Sequence, residues 1–280
     1  MRTTFLRSKP VWGAVFVVFG LVGAAALADV LAPHPSLTMA MPTGGDSRRP
    51  VLVELFTSEG CSSCPPADAL LARLDSEQSV PGAQVIVLSE HVTYWNHDGW
   101  IDPFSSAEWT QRQLGYSTIF KNDSYTPELV IDGLTNLVGN NPKAVVTEIQ
   151  KAAAFMKTEL TIKSIDADSK KAHRFEVAAG KLSEVDPKDS AEVWLAVTED
   201  GLHSAVSRGE NAGHELSHVA TLRSLRKIGV ADANSATSFT SSPEVKFDSK
   251  WDPKKIRVTV FLQEKKSRKV IGIAQTGAQS

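Results

Sequence analysis

The sequence predicts an α/β domain followed by an all-β, sandwich-like domain, and three observations carry that expectation. Two short apolar runs rich in strand formers, 52–56 (LVELF) and 84–88 (QVIVL), flank a segment with helical apolar spacing, 67–74 (ADALLARL). Strand, helix and strand in that order make 51–88 a β-α-β unit, which implies a parallel pair. After Lys157 the pattern changes: 160–162, 174–177, 193–197, 256–262 and 270–274 alternate or run apolar over strand lengths, with Gly, Asp, Asn and Ser between them. No long helix intervenes, so an antiparallel sandwich of about 110–125 residues is expected there.

The N-terminus speaks to compartment. Arg2, Arg7 and Lys9 precede an uncharged apolar run, 11–28, that ends in Ala26-Leu27-Ala28, the small-x-small pattern of a cleaved secretory signal. An uncleaved N-terminal anchor is the rival reading, because the run reaches the lower length limit for crossing a bilayer. Both imply export, hence a periplasmic or secreted protein touching the membrane only through such an anchor. The stretch 29–50, rich in Pro, Gly and small residues without hydrophobic period, reads as a flexible linker. The remainder divides into an α/β domain at 51–157 and a β domain at 158–280. With 30 basic and 32 acidic residues dispersed to a net charge of −2, the chain offers no electrostatic case for nucleic acid.

The chemistry concentrates in SEGCSSCPPAD, 58–68, which holds the only two cysteines, Cys61 and Cys64. In a β-α-β unit the loop leaving the first strand delivers Cys61 to the helix N-terminus, where unpaired N–H groups and the positive dipole end favour a thiolate. Cys64, three residues on, lies close enough for a disulfide while being less exposed. One thiol attacks and the other resolves. Pro65 and Pro66 suit a first helical turn, which has no intrahelical N–H bond to lose. A bridge over two residues removes little loop entropy, so a redox couple is favoured over a structural staple. Farther on, 142–156 reads as a helix capped by Asn140 or Asn141.

Beyond the spacing, 51–74 resembles the active-site unit of the thioredoxin superfamily, and SEGCSSCPPAD resembles the motif of a family of secreted bacterial thioredoxin-like proteins of unknown function. The resemblance runs from Val51 to the C-terminus. It implies a thioredoxin-like fold for 51–157 and an exported thiol–disulfide oxidoreductase that needs no cofactor and acts on protein thiols or disulfides in the cell envelope. Glu54 occupies a place similar to that of the buried carboxylate that, in thioredoxins, helps move the proton of the second cysteine. Tyr125-Thr126-Pro127 resembles the superfamily's cis-proline loop, which implies that Pro127 lies against the cysteines and that Thr126 offers backbone groups to an extended substrate.

Other readings of the same residues stay open. Two thiolates with a nearby imidazole, His91 or His97, would suit Cu(I), giving a copper or other soft-metal delivery protein. A non-catalytic binding module is a third. His214-Glu215-Leu216-Ser217-His218 fits the H-E-x-x-H zinc pattern, but no further histidine follows it and its neighbourhood is strand-rich. The aromatic segment 94–125, with Trp95, Trp100, Phe104, Trp109, Tyr116 and Phe120, either packs its own core or caps a groove over Cys61. Within it Ser105-Ser106-Ala107-Glu108 starts a helix with a capping box.

Overall fold

Every residue of β1 (Arg49–Thr57) from Val51 onward is buried, as expected of a strand covered on both faces. The odd positions Val51, Val53 and Leu55 pack against Leu70, Leu71 and Leu74 of α1 (Pro65–Glu77) and against Val145 and Ile149 of α3 (Pro142–Ala153). The even positions face the other way, toward α2 (Ala107–Phe120). β2 (Ala83–His91) pairs parallel to β1, and β3 (Glu128–Ile131) pairs antiparallel to its other edge, followed by β4 (Thr135–Val138). Helix starts follow local chemistry: the Ser106 hydroxyl accepts from the Glu108 N–H at 3.1 Å, and Asn141 Oδ1 accepts from the Ala144 N–H at 3.2 Å.

The computed structural model describes residues 48–165, 172–182, 185–186 and 189–277. The expected signal, 1–28, and nearly all of the expected linker, 29–50, lie outside the described residues, and β1 already begins at Arg49.

The remaining strands are β5 (Leu160–Ser164), β6 (His173–Ala179), β7 (Ala191–Glu199), β8 (Leu202–Ala205), β9 (Glu215–His218), β10 (Thr221–Val230), β11 (Phe239–Ser241), β12 (Glu244–Val245), β13 (Ile256–Glu264) and β14 (Val270–Gly277). They do not form a separate domain. One eight-stranded mixed sheet runs β14-β13-β7-β10-β2-β1-β3-β4, so strands from both sides of the expected boundary at 157/158 share a single ladder. The seam is short: Thr221 of β10 registers with Ser89 of β2, and the Ser89 N–H donates to the Ala220 carbonyl at 2.9 Å.

The expected α/β thioredoxin-like domain followed by a separate all-β domain is therefore corrected. The described chain is mostly β, with three α-helices, and it forms one compact unit. The physical reason lies on the α2 face of the sheet. Trp109 of α2 packs with Leu52, Ile86 and Leu88 from β1 and β2 and also with Ala196, Leu222, Phe261 and Ile273 from the later strands. Each fully buried side chain of this size contributes roughly 1.5–3 kcal/mol, so separating the halves would strip a shared core. On the opposite face of β7, β13 and β14, the sheet containing β5 and β6 packs through Ile162, Phe175 and Val177.

Candidate functional site around the disulfide

Cys61 and Cys64 are joined by a disulfide with a Cα–Cα distance of 5.4 Å. Cys64, not Cys61, is the N-cap of α1, with Pro65 and Pro66 beginning the helix. Its carbonyl accepts from the N–H groups of Ala67 (2.8 Å) and Asp68 (3.1 Å), while its own N–H donates to the Cys61 carbonyl at 3.1 Å. The sequence places an exposed Cys61 beside a sheltered Cys64, but in the structure both have 0% relative exposure, and only Ser62 and Ser63 between them face solvent. Cys61 Sγ lies 3.4 Å from the Ser63 hydroxyl.

What covers the disulfide turn comes from far along the chain. The loop between β8 and β9 places Asn211 against it, its Nδ2 donating to the carbonyls of Glu59 (2.8 Å) and Cys61 (3.0 Å). Next to it, Glu210 Oε2 accepts from the Ser62 N–H at 3.0 Å, and these bonds to Ser62 hold its carboxyl below the ordinary value. Gly213, with φ +83°, turns the loop back, its N–H donating to the Val206 carbonyl at 2.8 Å. On the other side Trp95 closes in: a Cβ on Gly60 would stand 2.7 Å from the Trp95 carbonyl, so only glycine fits before Cys61.

Behind the turn lies a buried set of ionisable groups. Glu59 accepts from the Trp100 indole N–H at 3.0 Å through Oε2, and its Oε1 is paired with His218 Nε2 at 2.9 Å. Asp102 Oδ2 accepts from the Glu59 N–H at 2.9 Å and is paired with His91 Nδ1 at 2.7 Å. Desolvation pushes Asp102 up, but the charge and hydrogen bond of His91 and the N–H groups of Glu59 and Phe104 outweigh it and hold the carboxyl below its usual value. The rings of His91 and His218 meet edge to face at 4.6 Å, with Phe104 packed against both. On α1, Asp68 Oδ2 accepts from the Thr57 hydroxyl at 3.2 Å. Burial pushes Asp68 from 3.8 to about 6, against the lowering effect of His218 and Thr57, with Asp102 and Glu59 adding to the rise.

The structure distributes the residues expected from sequence unevenly. Glu54 belongs to a different network: Arg112 Nε donates to its Oε1 at 2.6 Å and the Tyr116 hydroxyl to its Oε2 at 2.6 Å, both from α2. Desolvation first, then the Glu54 charge, pushes Glu90 of the same network well up, against Arg112. Thr126–Pro127 is a cis peptide bond. Thr126 is linked to the disulfide region through Trp95, whose indole N–H donates to Thr126 Oγ1 at 2.6 Å. His91 is fully buried and committed to Asp102, whereas His97 is exposed and pairs with Asp98. His214 is exposed and Glu215–His218 is a strand, so the histidines of that string do not stand one helical turn apart. Among the described residues no group of three or more His, Cys, Asp or Glu side chains is placed to hold a metal ion.

Sequence reasoning missed Glu59, Asp68, Asp102, Asn211 and the true setting of His218. Asp68 was legible in principle, because it follows Cys64 by four residues on a helix and so shares its face. His218 stood out only within the H-E-x-x-H string, and nothing local tied it or Asn211 to the cysteines. Trp100 and Phe104 of the aromatic segment pack inward on Glu59 and His218, and Trp109 and Tyr116 enter the core.

A scan of protein families matches residues 52–263 to the family described as "Protein of unknown function (DUF1223)". No curated protein matches the chain. Among solved structures, a protein from Agrobacterium tumefaciens is similar at 22% identity and a TM-score of 0.65, over 84% of this chain and 96% of its own. HBP35 of Porphyromonas gingivalis is similar at 18% identity and a TM-score of 0.64, over 84% of this chain and 76% of its own. At these identities the likeness is one of fold.

Proposed function

The chain belongs to the DUF1223 family of proteins of unknown function, and from that premise we propose, on the geometry of the site, that it performs thiol–disulfide exchange through Cys61 and Cys64. One observation carries the reading: the disulfide spans two residues at the start of α1, with the enclosed carboxylate of Asp68 four residues farther along the helix. Such a bridge adds little loop-entropy stabilisation, and acid–base groups beside it suit chemistry in which thiols gain and lose protons.

In this reading Cys61 attacks a partner disulfide and Cys64 resolves the mixed disulfide. Thr126 and Pro127 form the partner-facing loop, and the partners are protein thiols or disulfides met after export, which the N-terminal basic and apolar run implies. Among the described residues no helix is long and apolar enough to cross a membrane. Because neither sulfur is exposed, attack requires the turn at Ser62 and Ser63 to move out from under Asn211.

The same burial favours a second reading, a closed disulfide that only braces the turn. Equilibration in graded glutathione buffers separates the two. Exchange predicts a reversible midpoint within the range of about −270 to −120 mV found for Cys-x-x-Cys proteins, and Cys64→Ser, unlike Cys61→Ser, captures envelope proteins covalently. A bridge that resists reduction until the protein unfolds would leave only the brace.

A further inference from the structure

Exchange at Cys61 and Cys64 needs a base for the resolving thiol, and Glu54, the residue that sequence resemblance assigns, is on the wrong side of β1. Its even-numbered position faces α2, where Arg112 and Tyr116 occupy both carboxylate oxygens, while α1 packs on the odd-numbered face. A different carboxylate lies on the helix that carries the cysteine. Asp68 follows Cys64 by one turn, its N–H donating to the Cys64 carbonyl at 3.1 Å. Residues four apart share a helix face, and helical side chains lean toward the N-terminus, which here is Cys64.

The Asp68 carboxylate is also unfinished. Oδ2 accepts from Thr57 at 3.2 Å, whereas Oδ1 is buried and has no hydrogen-bond donor among the described residues. The groups facing it are Thr57 at the end of β1, Glu59 before the motif, Asp102 after β2 and His218 at the end of β9. Leaving a carboxylate oxygen buried and unpaired costs free energy that a purely structural residue would not need to bear.

We propose that Asp68 is the proton acceptor for Cys64 in the step that releases the partner, an inference that rests on the exchange reading. In the mixed disulfide, the Cys64 thiol gives its proton to the Asp68 carboxylate and the resulting thiolate attacks Cys61 Sγ. The Cys61–Cys64 bond forms as the bond from Cys61 to the partner sulfur breaks, and that sulfur leaves with the electron pair as a thiolate. The cysteine pair is oxidised by two electrons and the partner is reduced by two; Asp68 exchanges only a proton. A carboxyl that burial raises to about 6 is a far better match to a thiol than an ordinary surface carboxylate, because proton transfer is most effective when the acceptor titrates near the working pH.

The test resolves the two half-reactions. Reduced full-length protein, wild type, Asp68→Asn and Asp68→Glu, is mixed with a peptide disulfide between pH 5 and 9, and mixed-disulfide formation and its decay are followed by acid quench and mass spectrometry. Asp68→Asn should form the mixed disulfide at the wild-type rate and resolve it at least about 10²-fold more slowly. The wild-type decay rate should rise through an inflection at about 6 that the Asn variant lacks and Asp68→Glu retains. Resolution by Asp68→Asn within a few-fold of wild type, or an inflection that survives the substitution, overturns the assignment while leaving exchange intact. If the wild type forms no mixed disulfide, the exchange reading falls and takes this one with it. Independently of turnover, infrared difference spectra of the oxidised protein should show a protonated-carboxyl band at pH 5 that Asp68→Asn abolishes; its absence would count equally against the proposal.

Discussion

Asn211 holds Cys61 by its backbone: the Asn211 amide donates to the Cys61 carbonyl at 3.0 Å and, with its second hydrogen, to the Glu59 carbonyl at 2.8 Å. A side chain 150 residues away in sequence thus braces the turn that carries the disulfide, and the consequences can be measured.

Asn211→Ala takes the side-chain donor from the Glu59 carbonyl and leaves the Cys61 carbonyl with only the Cys64 N–H, at a cost of roughly 1–3 kcal/mol. The turn should loosen, and reduction of the Cys61–Cys64 bond by dithiothreitol should accelerate several-fold, followed by alkylation and mass shift. Glu210→Ala, which loses only an exposed contact to the Ser62 N–H, should change the rate much less. Equal rates in all three proteins would mean that this loop does not control access.

Arg112 is the cation of the network that takes Glu54 away from the disulfide, and it is buried with Glu54 and Glu90. Arg112→Met leaves the buried Glu54 carboxylate with the Tyr116 hydroxyl but without its counter-charge, which should destabilise the protein by roughly 3–5 kcal/mol, as read from urea unfolding. The rate of disulfide exchange per folded molecule should stay at the wild-type value. A parallel loss of exchange would return Glu54 to the chemistry.

Asp68 and Asp102 have opposite effects on the pH dependence of stability. Asp68 titrates at about 6 in the fold against 3.8 in an open chain, so between those values the folded state binds a proton that the unfolded state has lost. Its favourable contribution is complete below the unfolded value and is lost as pH rises through the folded one, amounting to roughly 2–3 kcal/mol. Asp68→Asn should therefore gain on the wild type as pH rises from 4 to 7. Asp102, held below its ordinary value of 3.8, keeps its contribution above that value and loses it only as pH falls below it, so the deficit of Asp102→Asn against the wild type should be constant from pH 4 to 7 and shrink only at more acid pH. Urea midpoints at pH 2.5, 4, 5.5 and 7 check both windows; Asp68→Asn keeping a constant offset from the wild type between pH 4 and 7, or Asp102→Asn failing to converge on it below pH 4, would be incompatible with this electrostatic picture.

The seam between Ser89 and Thr221, together with the core shared by Trp109, Leu222 and Phe261, predicts one unfolding event for 48–277. Thermal unfolding followed by tryptophan fluorescence and by far-ultraviolet dichroism should give coincident curves. The fragment 158–280 expressed alone should aggregate or remain unfolded, because Ala196, Leu222 and Phe261 lose their cover. Two separated transitions would restore two independent halves.

Some of this molecule was legible in the order of its residues. The helix that follows the cysteines, the capping of α3 by Asn141 and the strands β5, β6, β7, β13 and β14 arise from apolar period, proline placement and side-chain caps. These act over a few residues, so they can be read from them. The short strands β8, β9, β11 and β12 escaped, because two to four residues carry too little alternation to stand out.

What the sequence by itself determined is local: a Cys-Ser-Ser-Cys turn leading into a proline-started helix between two buried strands, and a strand-rich second half. Only the tertiary structure decided that β10 joins the free edge of β2, and with it that His218 and Asn211 arrive at the disulfide while Glu54 turns to Arg112. Pairing of distant strands is settled by which faces can be buried together and which charges can be satisfied there, and neither condition is written in the periodicity of any single segment.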